Sequence, residues 1–164
     1  MGYTHPLYVL PFDHRASSVS VMFGWSGAFR LEQIAQITDA KRVIYEGFAA
    51  AVAGGVGKDK AGISVDEHFG AEILRDAKRS GIISCVPAQR GGQDEFDFEF
   101  GGDFARHIRD FAPTFCKVLV RCILEGDIAV NQRQVSRLRS PSDVLVGSPC
   151  GGSSDLLGAA CRLA

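Results

Sequence analysis

The chain has no CxxC pair, no surplus of basic charge and no uncharged apolar run of 18 or more residues. Each absence excludes a class. Its five cysteines (Cys85, Cys116, Cys122, Cys150 and Cys161) are odd in number and scattered, so reduced thiols are expected rather than a disulfide frame or a zinc knuckle. Eighteen basic residues against nineteen acidic ones leave a net charge of -1, which argues against nucleic acid as a partner. Without a long apolar run, or a basic N-terminal segment followed by an apolar core, the sequence predicts no membrane span and a cytoplasmic location. No GxGxxG or GxxxxGK[ST] follows the first apolar run, so the defining feature of a Rossmann or P-loop nucleotide site is missing. What remains is globular: 46% of the 164 residues are apolar and 23% charged, enough for one domain or two small ones.

One pattern repeats along the chain. A short apolar strand is followed by polar residues, then by a helix. Strands are expected over residues 7–12, 61–65, 82–86 and 115–121, and helices over 31–53, 71–79, 104–111 and 131–139. Residues 16–30 read as a loop, and residues 89–103 as a long polar loop in which Phe96, Phe98 and Phe100 alternate with Asp97 and Glu99. Nearly continuous apolar strands separated by helices imply parallel pairing with both faces buried. The expected fold class is therefore α/β. Right-handed crossovers leave an open doubly wound sheet or part of a (β/α)8 TIM-type barrel. A whole barrel takes about 250 residues, so four such units make its N-terminal half with four parallel strands. Residues 1–145 form this partial barrel in the reading, and residues 146–164 a separate tail without a strand-like run.

Polar residues at strand ends are where barrels keep their chemistry. Asp13-His14-Arg15 follows the first strand with no turn residue between, and suits a hydroxylated, phosphorylated substrate because Arg pairs bidentately with phosphate. The bland alternative is a capping Asp beside a surface Arg. Asp66-Glu67-His68 ends the second strand in the same way. A metal site built from these with Asp13, His14 and His5 is disfavoured, because no HxH or HExxH spacing is present. Lys117 interrupts the apolar run FCKVLV, where an ammonium must be paired or lose its charge. It reads as a Schiff-base amine or a cation facing a substrate anion, against a strand-edge lysine that snorkels to water. Arg121 lies four residues on, hence on the same strand face, and two cations favour a sugar phosphate. Asp13, Asp66, Lys117 and Arg121 are expected to converge, with Lys117 largely buried beside Asp13 or Asp66. The acidic, Gly-rich stretches around Gln93 to Asp103 and Glu125-Gly126-Asp127 read as solvated loops, with the phenylalanines packing the first of them.

The strings LYVLPFDHR, AGISVDEHFGAEIL, GQDEFDFEFG and PTFCKVLVRCILEGD, in that order, resemble one family over about residues 7–143. It is the aldolase-like C-terminal half of bacterial kinase–aldolase fusions of myo-inositol catabolism, assigned to 5-dehydro-2-deoxy-6-phosphogluconate cleavage into dihydroxyacetone phosphate and malonate semialdehyde. That half is similar to the class I tagatose-1,6-bisphosphate aldolases, (β/α)8 barrels that use a Schiff-base lysine and no metal. The resemblance implies active-site positions for Asp13, Asp66 and Lys117, a phosphorylated sugar acid as ligand and no cofactor. Together with the strand-end reading, Asp13 and Lys117 are the catalytic candidates and Arg15, Asp66 and Arg121 the substrate-binding ones. Gln89-Arg90 replaces the family's usual Glu-Lys, and Cys122-Ile123-Leu124 its usual Tyr-Asn-Pro. The family's Schiff-base lysine is expected two strands after the fourth, with an assisting glutamate on the fifth. A truncated or frameshifted, inactive aldolase fragment is therefore the expectation. The alternatives are a lyase with Lys117 as its amine, and a non-catalytic half-barrel. Such a half would self-associate, or assemble with a second half-barrel or a kinase domain.

Overall fold

The structure, a computed structural model, describes residues 5–93, 95–119, 126–146 and 155–159. It is a mixed α/β protein with parallel strands, arranged as two compact units, Thr4–Val86 and the chain from Pro87 on. Among the described residues, no helix is long and apolar enough to cross a membrane.

The first unit contains β1 (Tyr8–Pro11), α1 (Ala16–Phe23), α2 (Leu31–Ala53), β2 (Ala61–Ser64), α3 (Glu67–Arg79) and β3 (Ile83–Pro87), the last ending on the boundary. Its three strands are parallel in the order β1-β2-β3, with Tyr8 opposite Ala61 and Gly62 opposite Ile83. Every residue of β2 is buried, as parallel pairing between covered faces requires. The amide N–H groups of Tyr8 and Phe12 donate to the carbonyls of Lys60 and Ser64, each at 2.8 Å. Pro11 alternates with them, so its missing N–H falls on the outer edge and costs no ladder bond.

Residues 16–30, expected to be a loop, contain α1. Val19, Met22 and Phe23 recur at helical spacing, but the serines and valines around them are weak helix formers and hide the signal. Gly24, at φ +68°, ends the helix in the left-handed conformation that glycine adopts without strain. Helix α2 has the expected bounds. Helix α3 starts four residues earlier than expected because Asp66 caps it, accepting a hydrogen bond from the Phe69 N–H at 2.9 Å. Glu67 in its first turn and Lys78 and Arg79 in its last complement the helix dipole. Ile73 and Leu74 of α3 are fully buried, each worth about 1.5–3 kcal/mol relative to exposure. On the opposite side of α3, Asp76 pairs with Arg42 and Arg79, and the hydrogen bond from Arg42 holds its carboxyl below the usual carboxylate range.

Gly70 interrupts α3 with a non-helical conformation, where a Cβ would overlap the Val65 side chain. Val65 has no exposure and little room to move. Gly70→Ala is therefore expected to destabilise the protein by about 1–3 kcal/mol through overpacking. An unchanged urea midpoint for this variant would show that Val65 yields without cost.

The second unit contains a 3-10 turn (Gly101–Asp103), α4 (Phe104–Phe111), β4 (Phe115–Val118), α5 (Ile128–Val146) and β5 (Asp155–Ala159). Its core gathers Ala88, Phe96, Phe104, Ile108, Cys116 and Val118, with Phe98 packed against them. Phe96 and Phe98 of the aromatic loop thus pack as expected, while Phe100 is exposed and stacks on His107. Gln89 and Phe98 form an isolated antiparallel bridge, and Arg90 N–H donates to the Asp97 carbonyl at 2.8 Å. The loop is tied to α5. Fully buried Gln134 accepts from the Phe96 N–H at 3.0 Å, and Arg133 meets Glu95 at 2.7 Å. That arginine's hydrogen bond lowers the Glu95 carboxyl below its ordinary range. At the start of α5, Asp127 accepts from the Ala129 N–H at 2.8 Å.

One expectation needs correction here. Residues 146–164 were expected to hold no strand, yet β5 pairs in parallel with β4, Phe115 opposite Asp155. Its sequence, DLLGA, has neither β-branched residues nor alternation, so it carries no strand signal. The boundary between the two compact units falls at the end of β3.

Candidate functional site

The first unit concentrates its buried charge where β1 and β2 end. Beyond β1 the chain enters Phe12 and Asp13, both buried, then exposed His14 and half-buried Arg15. Beyond β2 it enters Val65, Asp66 and Glu67, all buried, then exposed His68. Because the two strands are parallel, both sets of polar residues come off the same edge of the sheet.

A residue from elsewhere in the sequence joins them. Lys41 of α2 is buried, and its ammonium donates to the carbonyls of Phe12 at 2.8 Å and His14 at 3.0 Å, and to Asp66 Oδ2. Those three acceptors match its three protons. The two carbonyls flank Asp13, so this one ammonium fixes the backbone on either side of that carboxylate. Asp66 has no exposure at all, and its other oxygen, Oδ1, accepts the cap bond from Phe69. A second tie runs outside the first, with Arg15 Nη2 donating to Glu67 Oε1 at 2.8 Å. The Glu67 side chain is only 4% exposed and the Arg15 side chain 17%, so this pair is better shielded than a surface bridge. His68 Nε2 lies 3.6 Å from the same Glu67 oxygen.

Three carboxylates (Asp13, Asp66, Glu67) thus stand among two fixed cations (Lys41, Arg15) in this cluster. An excess of carboxylate suits hydroxyl groups better than a phosphate. The Ser64 hydroxyl, on the last residue of β2, is buried and has no hydrogen-bond partner among the described residues. A hydroxyl can donate and accept, so it can answer either need of a polyol.

No protein-family model matches the sequence, and no curated protein matches it.

Of the expected site residues, Asp13, Arg15 and Asp66 come together at these strand ends. Lys117 belongs to β4 in the second unit, and Arg121 lies outside the described residues. Lys117 is half-buried rather than largely buried. Its strand neighbours Cys116 and Val118 join the aromatic core, so alternation turns Lys117 to the other face of β4. The lysine shown to meet Asp66 is Lys41. Sequence reading passed over Lys41, although a signal existed. It lies four residues after Ile37 and four before Tyr45, and all three form the buried stripe of α2. A charge in the middle of an apolar stripe at helical spacing is the anomaly to look for.

Proposed function

We propose that the ends of β1 and β2 bind the hydroxylated part of a phosphorylated sugar acid. In this reading the chain is a member of the class I sugar-phosphate aldolases, acting on 5-dehydro-2-deoxy-6-phosphogluconate or a close analogue. The observation that carries the proposal is the Lys41 clamp. It holds the backbone around Asp13 and the carboxylate of Asp66 in one place before any ligand arrives, which is the preorganisation a binding site needs. Asp13 is the group offered to the substrate, as an acceptor for a hydroxyl or its proton, and the Ser64 hydroxyl supplements it. Asp66 acts through Lys41 and the start of α3 as a positioning residue. Arg15, engaged with Glu67, is the outer wall of the site.

The resemblance of the four motifs to the aldolase family supports the substrate class, and the strand-end carboxylates support recognition of its hydroxyls. Calorimetric titration with the phosphorylated sugar acid tests the reading. Saturable binding is expected, weakened about tenfold or more by Asp13→Asn, as loss of a charged hydrogen-bond acceptor implies. Heat signals that fail to saturate, or an Asp13→Asn variant of unchanged affinity and intact circular dichroism, would remove the proposal.

A further inference from the structure

A cavity of about 180 Å³ lies beside the polar site, between α1, α2 and the end of β1. Its walls are Phe12, Val19, Met22, Phe23, Ile37 and Ile44, with Pro11, Ala40 and two polar residues, Lys41 and the exposed His14. We propose that this cavity is a binding site for a small, uncharged, apolar molecule, separate from the site of the sugar acid and independent of that reading.

The lining dictates the class of ligand. Lys41 carries the buried charge in the wall, and its three protons are already committed to Phe12, His14 and Asp66. It has no donor left for a guest. An anion or a polyol would surrender its hydration for few hydrogen bonds in return, which disfavours both. A hydrocarbon or simple aromatic loses nothing and gains contact on every wall.

Size points the same way. Apolar cavities of about 150 Å³ stay dry and take up benzene-sized guests or xenon. Helix α1 does not close the space itself. Its Met22, on the rim, is 61% exposed instead of folding inward. An unfilled apolar void works against the fold that contains it, so a guest of the right shape stabilises the native state.

The molecule carries its own reporter. Trp25, its single tryptophan, stacks on Phe23 with ring centroids 4.7 Å apart, and Phe23 is a cavity wall. Titration with cyclohexane, which neither absorbs nor emits near tryptophan, is expected to give a saturable change in Trp25 emission and a higher Tm. Inorganic phosphate is expected to change neither. Ala40→Leu, which places extra carbons in the cavity, is expected to weaken the cyclohexane response at least about tenfold. No saturable response in the wild type up to the solubility limit, or an undiminished response in Ala40→Leu, overturns the proposal. Should that variant not fold, xenon NMR on the wild type decides. A saturable xenon shift supports the site, and a shift linear in pressure overturns it.

Discussion

Replacing Lys41 by methionine is expected to remove about 3–5 kcal/mol of folding stability, the cost of stripping one partner from a buried ion pair. Methionine keeps most of the apolar stem and loses the ammonium. Three acceptors then lose their donor: Asp66 Oδ2 and the Phe12 carbonyl, both buried, and the part-buried carbonyl of His14. The worst of these is Asp66. It has no exposure, and only the Phe69 N–H continues to satisfy it. Against a total stability of about 5–15 kcal/mol, such a loss removes much of the native margin. Pairing this change with Asp66→Asn separates charge from packing. An amide still caps α3 through its oxygen but buries no charge, so the double variant is expected to be less destabilised than the two single effects summed. Urea unfolding measures all four proteins. A loss for Lys41→Met below about 1 kcal/mol, the size of an exposed pair, would mean that the clamp is wetter than its geometry indicates.

The same clamp explains which parts of the site were legible in the sequence. Asp13 and Asp66 each follow an apolar strand directly, and a charge at the end of a buried strand is a local pattern that one pass along the chain detects. Their partnership is not local. Lys41 lies 25 residues from Asp66, on a helix whose periodicity was clear but whose one charged stripe residue passes for surface unless its phase is checked. Arg15 suits a phosphate by sequence because a guanidinium matches phosphate bidentately, but a counter-charge from outside its own strand end engages it. The counter-charge is Glu67, supplied by the next strand end.

Element limits show the same division. Helix α2 and strand β2 follow from strong periodicity and a short apolar run, and both appear within a residue of expectation. Helix α1 was hidden by residue type, Ser and Val outvoting a correct apolar spacing. Strand β5 has no pattern of its own and depends on hydrogen bonding to β4, a non-local cause that no window of sequence contains. The aromatic loop was legible in part. Alternating phenylalanines implied packing, but the buried Gln134 that satisfies the Phe96 N–H comes from a helix 38 residues away.

For catalysis the expected result is negative: the 164-residue protein should release no measurable dihydroxyacetone phosphate from 5-dehydro-2-deoxy-6-phosphogluconate. A class I aldolase needs an enclosed lysine whose nitrogen is free to attack a carbonyl. The sequence contains five lysines. Lys58, Lys60 and Lys78 are exposed and lack the enclosure that activates an amine. Lys41 is enclosed but has given its protons to three acceptors, and freeing it would dismantle the site. Lys117 is the remaining candidate, half-buried on β4 and turned away from the aromatic core. Losing an activated nucleophile costs on the order of a millionfold in turnover, so the wild type is expected to match a Lys117→Met control in a dehydrogenase-coupled assay. Borohydride added with the substrate gives the decisive reading, because it reduces an imine to a stable secondary amine and leaves noncovalent complexes untouched. Mass spectrometry should find unmodified Lys117 while calorimetry still records binding, and that pair of results marks a binding fold without its nucleophile. A reduced adduct on Lys117, with turnover near about 1–10³ per second that Lys117→Met abolishes, would instead make Lys117 the Schiff-base amine. Arg121 would then assist by like-charge repulsion, since a second cation favours the neutral form of the amine.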